Sequence, residues 1–315
     1  MKHLSHKISV IGAGFVGSTL AYTLSIQGLA GKIVLVDINK DRAEGEAMDI
    51  EHASPFSPRT DILPGSYGDT ANSDIIVITA GTNQKPGETR MDLIKRNASI
   101  VGSVAKEVAE RSPEAVLLVI SNPVDVMTRI VKQVTGFPAS RVIGSGTNLD
   151  SARFRHMLSE KFAIDSHNIH GYVLGEHGDS EFPAWSLVSV SGMNINQASD
   201  QFGGIMKDQD YLALNEATKN AAYEIINRKG ATYYGIAASA SRICRAILRD
   251  EKSIIPISVE LSGQYGINEV YLSLPTVLGE NGVERILSPN LSDEELAKLK
   301  QSADLLNQAF YSLSA

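Results

Sequence analysis

The chain has 315 residues, 43% hydrophobic and 21% charged, with a net charge of −7 and a single cysteine, Cys244. That length predicts about two domains of roughly 150 residues each, and the acidic balance argues against a nucleic-acid binder, which would carry a basic face. One cysteine excludes an intrachain disulfide and a multi-cysteine metal site, and no stretch reaches the ~18 apolar residues that span a bilayer.

The N-terminal segment Met1 to Lys7 leads straight into an apolar run and lacks the charged segment, apolar core and cleavage site of a signal peptide. A cytoplasmic protein is therefore expected. Lys7 to Ile11 reads as a strand, followed by a glycine-rich turn and a helix from about Val16 to Gly28. Lys32 to Asp37 is the next strand and about Arg42 to His52 the next helix. Ile75 to Thr79, Val116 to Ser121 and the shorter Arg141 to Ile143 are continuous apolar runs, as expected of parallel strands covered on both faces. Alternation of strand and helix predicts an α/β fold with a doubly wound parallel sheet of the Rossmann kind.

The pattern changes near Gly144. Helical stretches follow at Ser151 to Phe162, Leu212 to Lys229 and Ala237 to Leu248, and Cys244 reads as a small buried residue within the last. Runs around Pro183 to Ser191 and Val270 to Val277 look antiparallel. Ser292 and Glu295 form a capping box, and Leu296, Leu299, Ala303, Leu306, Phe310 and Leu313 then fall on one helical face. The expected organisation is a dinucleotide-binding domain over 1–145 and an α+β substrate domain over 146–315.

Gly12-Ala13-Gly14-Phe15-Val16-Gly17 follows the first strand and opens a helix. In such a turn the first glycine permits the bend, the second admits a pyrophosphate and the third lets helix and strand pack closely. The helix N-terminus offers free N–H groups to the phosphates. Asp37 ends the next strand, 20 positions beyond Gly17. A carboxylate there accepts hydrogen bonds from a ribose 2′-OH and repels a 2′-phosphate, which favours NAD over NADP.

Three further segments carry groups suited to carbonyl chemistry. Gly175-Glu176-His177-Gly178-Asp179 sets a histidine between glycines, and an imidazolium can supply the proton that carbonyl reduction needs. Asp150 can hold that histidine's second nitrogen, while Arg153 can grip a carboxylate through two parallel bonds. Residues Gly81 to Arg90, GTNQKPGETR, follow a strand at the ligand-binding edge and have the composition of a lid, with Arg90 able to polarise a carbonyl oxygen. Read singly, each of these residues has a plain alternative: a core histidine, a helix-terminal acid, a solvated arginine.

Seven ordered segments resemble the lactate/malate dehydrogenase family over nearly the whole chain: IGAGFVG, LVDIN, GTNQKPGETR, SNPVD, GSGTNLDSARFR, GEHGDSE and KGATYYGIA. The resemblance implies that His177 is the proton donor, Asp150 its partner, Arg153 the carboxylate clamp and Arg90 the carbonyl-polarising arginine. It implies that Asn122 orients substrate beside the cofactor, with Pro123 fixing that turn. Thr232 would line the pocket for the substrate side chain, Ile236 would pack on the nicotinamide, and Ser145 would lie near its carboxamide. Gly12, Gly14, Phe15, Val16, Gly17, Asp37 and Gly81 complete the implied NAD site, and no metal is expected. Gln84 stands where an arginine in the family pairs with the second carboxylate of oxaloacetate. A neutral side chain there implies a substrate without that charge, pyruvate and its product lactate. Arg155 and His170 match positions that hold fructose 1,6-bisphosphate between subunits of bacterial homotetramers. Activation by that ligand and simple phosphate binding both remain open at this point.

Overall fold

The computed structural model describes residues 6–82, 90–203 and 206–313, with Arg90 described by its backbone alone. The first half alternates β1 (Lys7–Ile11), α1 (Phe15–Ile26), β2 (Lys32–Val36), α2 (Lys40–Glu51), β3 (Asp61–Gly65), β4 (Ile75–Ile78), α3 (Arg90–Arg111), β5 (Val116–Val119), α4 (Val124–Thr135) and β6 (Val142–Gly144). Strands β4 and β5, with the sequences IIVI and VLLV, are buried at every position. Unbroken apolar runs of this kind suit central strands of a parallel sheet, because both faces are covered.

These six strands are parallel and ordered β3-β2-β1-β4-β5-β6. The order reverses between β1 and β4, which opens a crevice at their carboxyl ends, the usual ligand position in such sheets. The α/β class and doubly wound order expected from the sequence are both present.

The second half contains α5 (Asn148–Phe162), β7 (Ile169–His170), β8 (Val173–Leu174), β9 (Phe182–Pro183), β10 (Ser189–Val190), β11 (Met193–Asn194), α6 (Ile195–Gln201), α7 (Asp208–Lys229), α8 (Tyr234–Leu248), β12 (Ser253–Ser262), β13 (Asn268–Gly279), β14 (Gly282–Ile286) and α9 (Asp293–Tyr311). The antiparallel trio β12, β13 and β14 joins the first sheet through Ser258 opposite Gly144, giving a sheet of nine strands among the described residues. Residue 145 therefore marks a change of topology inside one sheet. The main core is shared across it: Val77 and Leu118 belong to the same apolar cluster as Ile257 and Leu272. A smaller cluster under α5 gathers Phe154, Leu158, Val173 and Val188.

The run from Pro183 to Ser191 is not one strand. Pro183 has no N–H to continue a ladder, and Leu187 N–H donates to Ala184 C=O at 3.0 Å, closing a turn. Within it Trp185 meets Phe154 edge-on at 4.8 Å and donates to Asn215. The capping box of α9 forms as read: Glu295 N–H donates to Ser292 Oγ and Ser292 N–H to Glu295 Oε2. On its apolar face Leu299, Ala303 and Leu306 are buried, while Leu296, Phe310 and Leu313 are partly so. Cys244 is fully buried on α8, and burial pushes its thiol up to about 12. Among the described residues, no helix is long and apolar enough to cross a membrane.

Candidate active site

The turn after β1 shows why three glycines stand in it. Gly12 has a φ of 110°, and a Cβ on Gly17 would lie 1.8 Å from Gly12 C=O. Larger residues would drive α1 away from β1. Thr79 Oγ1 donates to the carbonyls of Ile11 and Gly12 and pins the turn to the end of β4. No side chain caps α1, and its first turn carries no acid, so its first N–H groups have no side-chain acceptor within the helix. Around Gly14 there is open space where a Cβ would be.

Asp37 ties this turn to β2. Its Oδ2 accepts Ala13 N–H at 2.7 Å and its Oδ1 accepts Asn39 N–H at 2.8 Å. Lone pairs remain on both oxygens for a diol. Gly81 and Asn122 follow β4 and β5, and Ser145 follows β6, with its N–H donating to Val119 C=O. Gly12, Asp37, Gly81, Asn122 and Ser145 thus succeed five strands along one edge of the sheet. Phe15, exposed at the start of α1, stacks on Tyr233 at 5.3 Å, and Val16 packs against the main core.

The segment 175–181 carries His177. It is anchored on four sides. Gly175 bridges Ser273 of β13, His177 N–H donates to Asp125 Oδ2 of α4, and Ser302 Oγ of α9 donates to Ser180 C=O. The fourth anchor is the side chain itself: His177 Nδ1 meets Asp150 Oδ2 of α5 at 2.8 Å. Asp150 is buried, and its Oδ1 accepts from Arg153 Nη1 at 2.8 Å.

Burial opposes charge on both partners, and their mutual attraction overrides it. Asp150 is held below the usual carboxylate range by His177 and Arg153 despite its burial. His177, which burial alone would depress, is raised to about 9, chiefly by Asp150. The imidazole is therefore a cation at neutral pH, with Nδ1 committed to Asp150 and 27% of its side chain still exposed.

His177, Asp150, Arg153 and Asn122 line one cavity of about 390 Å³. Leu93, Ile94, Ala222 and Ile226 give it an apolar wall. Thr232, on the turn between α7 and α8, and Ile236, in the first turn of α8, are both partly buried, and the residues lining this cavity do not include them. Gln84 and the side chain of Arg90 lie outside the described residues.

A lactate/malate dehydrogenase NAD-binding domain profile matches residues 6–144, and the profile of that family's α/β C-terminal domain matches residues 147–313. The chain belongs to the lactate/malate dehydrogenase family.

Among relatives in this family, L-lactate dehydrogenase 1 of Clostridium acetobutylicum is 51% identical, with 98% of each chain covered. L-lactate dehydrogenase of Acetivibrio thermocellus is 47% identical over 98% of this chain and 97% of its own. The crystal structure of MGS-M5, a lactate dehydrogenase from a Medee basin deep-sea metagenome library, superposes with a TM-score of 0.96 at 44% identity, covering 99% of this chain and all of that one. Minor L-lactate dehydrogenase from Enterococcus mundtii gives a TM-score of 0.95 at 41% identity, with 98% of each chain covered.

Like other members of the lactate/malate dehydrogenase family, the chain is an NAD-dependent oxidoreductase. The residues fit that cofactor: the uncapped α1, the open space at Gly14 and the Asp37 carboxylate suit a pyrophosphate and a ribose diol.

Sequence reasoning passed over four residues of this site. Asp125, inside the SNPVD segment, is buried and holds the His177 backbone, while its Oδ1 accepts from Ser258 Oγ. Burial, only partly offset by these bonds, pushes it up to about 6. Asn97 on α3 clamps two loops, donating to Asn122 C=O at 3.0 Å and accepting Thr82 N–H. Thr79 is the third and Glu181, beside His177, the fourth. Only Asp125 had a legible signal: an acid at the start of an apolar helix.

Arg155 and His170 meet in a separate cavity of about 170 Å³, with Tyr172 and Arg242. Burial lowers the affinity of Arg155 for its proton, and among the described residues no carboxylate pairs with it.

Asp37→Ala removes both the turn tie and the charge that opposes a 2′-phosphate. Fluorescence titration should show weaker NADH binding and a ratio of NADPH to NADH affinity raised about tenfold or more. An unchanged ratio would contradict the role given to Asp37.

Proposed function

We propose that the chain catalyses reversible hydride transfer between NADH and pyruvate, giving L-lactate and NAD⁺. The observation that carries this reading is the convergence of His177, Asp150 and Arg153 on one cavity with an apolar wall. Nicotinamide supplies the hydride when bound.

Every other step belongs to the protein. Arg153 commits one nitrogen to Asp150, and the rest of its planar fork suits the carboxylate of a 2-oxo acid. Asn122 orients the carbonyl. His177 delivers its proton to the carbonyl oxygen through Nε2, because Nδ1 is held by Asp150. Arg90 is assigned to that same oxygen, where it stabilises developing negative charge. In the reverse direction neutral His177 removes the hydroxyl proton.

The substrate assignment rests on size and charge. Leu93, Ile94, Ala222 and Ile226 favour a methyl group over a charged one. Gln84 would offer the second carboxylate of oxaloacetate no ionic partner. The relatives named L-lactate dehydrogenase support the same choice. Reduction needs the His177 proton, so its kcat/KM should hold through neutral pH and fall as pH rises through about 9, while lactate oxidation rises over that range. Steady-state assays with pyruvate and oxaloacetate test both points. Preference for oxaloacetate, or a profile flat through pH 9 with chemistry limiting, would overturn the assignment.

We assign the Arg155 cavity to one phosphate of fructose 1,6-bisphosphate, with the same residues of a second subunit taking the other in a homotetramer. An unpaired guanidinium beside His170 and Arg242 supports an anion there. Activation requires that the ligand prefer the active arrangement. Millimolar fructose 1,6-bisphosphate should then lower the pyruvate concentration at half-saturation, and Arg155→Ala should abolish that effect. Identical saturation curves in the wild type would leave phosphate binding without regulation.

A further inference from the structure

Two carboxyl groups share the His177 imidazole. Besides Asp150 at 2.8 Å, Glu181 Oε2 lies 3.9 Å from Nδ1. Ligand atoms of all three side chains fall within 4.8 Å of one another. The Glu181 side chain is only 6% exposed. It stands in a wall common to two cavities, the one holding His177 and a larger one of about 770 Å³ walled in part by α3, α7 and α9.

The charges around Glu181 do not favour a second anion. Arg153 is bonded to Asp150, and among the described residues the one cation within 4 Å of Glu181 is His177. Its own segment contributes Glu176 and Asp179, α5 contributes Asp150 and Arg153, and Asp125 of α4 stands behind His177. From α7 come Glu216 and Lys219, and from α9 Lys298, all lining the larger cavity. Two buried carboxylates sharing one imidazolium cannot both ionise cheaply. Asp150 has the shorter bond and the arginine, so Glu181 is the member that keeps its proton; burial, followed by the charge of Asp150, holds it well above the usual carboxylate range.

We propose that Glu181 is a positioning residue for the proton step, neutral while the substrate anion binds and, once ionised, keeping the proton on His177. This rests on the hydride-transfer reading of the same site. A neutral Glu181 adds no negative charge beside Arg153 and His177, which already face Asp150 and, behind the imidazole, Asp125. A permanently ionised acid at 181 would add a further anion where a substrate carboxylate must bind. At high pH the sign reverses in usefulness: an anionic Glu181 favours the imidazolium and extends reduction to higher pH.

The test is the alkaline limb of pyruvate reduction together with a titration that needs no turnover. Glu181→Gln should move the midpoint of that limb down by about one pH unit, whereas Glu181→Asp, which retains a carboxyl, should keep it nearer the wild type. The carbon-13 imidazole signal of His177, assigned by its loss in His177→Gln, should show the same downward movement in Glu181→Gln. An unchanged or raised midpoint in that signal overturns the proposal. A lowered midpoint in a protein inert toward pyruvate leaves Glu181 in place and removes the substrate assignment instead. If Glu181→Gln does not fold, the wild-type His177 signal decides: coupling to Glu181 requires a two-step titration, and a single-proton curve overturns the idea.

Discussion

A buried ionic hydrogen bond, Asp150 to His177, is the constraint on which the rest of the site depends. A carboxylate so fully removed from water persists as an anion only if it is paired and hydrogen-bonded. Asp150 meets that demand with His177 Nδ1, with Arg153 Nη1 and with its place in the first turn of α5, where the helix dipole favours negative charge. The same bond fixes the imidazole. With Nδ1 engaged, Nε2 is the nitrogen left for a substrate, and the ring holds a proton at neutral pH that an isolated histidine would mostly have lost.

The sheet explains how this pair comes to stand beside a dinucleotide site. The glycine turn succeeds β1, Asn122 succeeds β5 and Asp150 lies just beyond β6, all at the carboxyl edge. His177 arrives from a distant part of the sequence, and its segment is secured by Ser273 of β13, Asp125 of α4 and Ser302 of α9. Because β12 and β13 extend the same sheet that carries β1 and β6, the glycine turn and the His177 segment share one core. Positioning of this kind lets reacting groups meet without further ordering at the moment of reaction.

Legibility in the sequence followed the range of the interactions. β1, α1, β2, β4 and β5 were readable because continuous apolar runs and a glycine turn are local signals. So was α9, through the Ser292–Glu295 box. β12 and its joining to β6 were not, since a contact between Ser258 and Gly144 spans over a hundred residues and leaves no periodic trace. The segment around Trp185 was misread as a strand because alternation alone does not reveal a turn closed by tertiary contacts of an indole. Among site residues, His177, Asp150 and Arg153 were legible through flanking glycines, helix position and family resemblance. Asn97, Thr79 and Glu181 were not, because each acts through a partner distant in sequence or through the charge of a buried neighbour.

The proton held by His177 in the folded protein is the most direct quantity to measure. Carbon-13 imidazole resonances should place its loss at about pH 9 in the wild type. In Asp150→Asn, where only the more distant Glu181 and Asp125 counter burial, the midpoint should fall clearly toward the ordinary histidine range. A wild-type midpoint already in that ordinary range, and unmoved by Asp150→Asn, would contradict the pairing from which the reactivity of the site was derived.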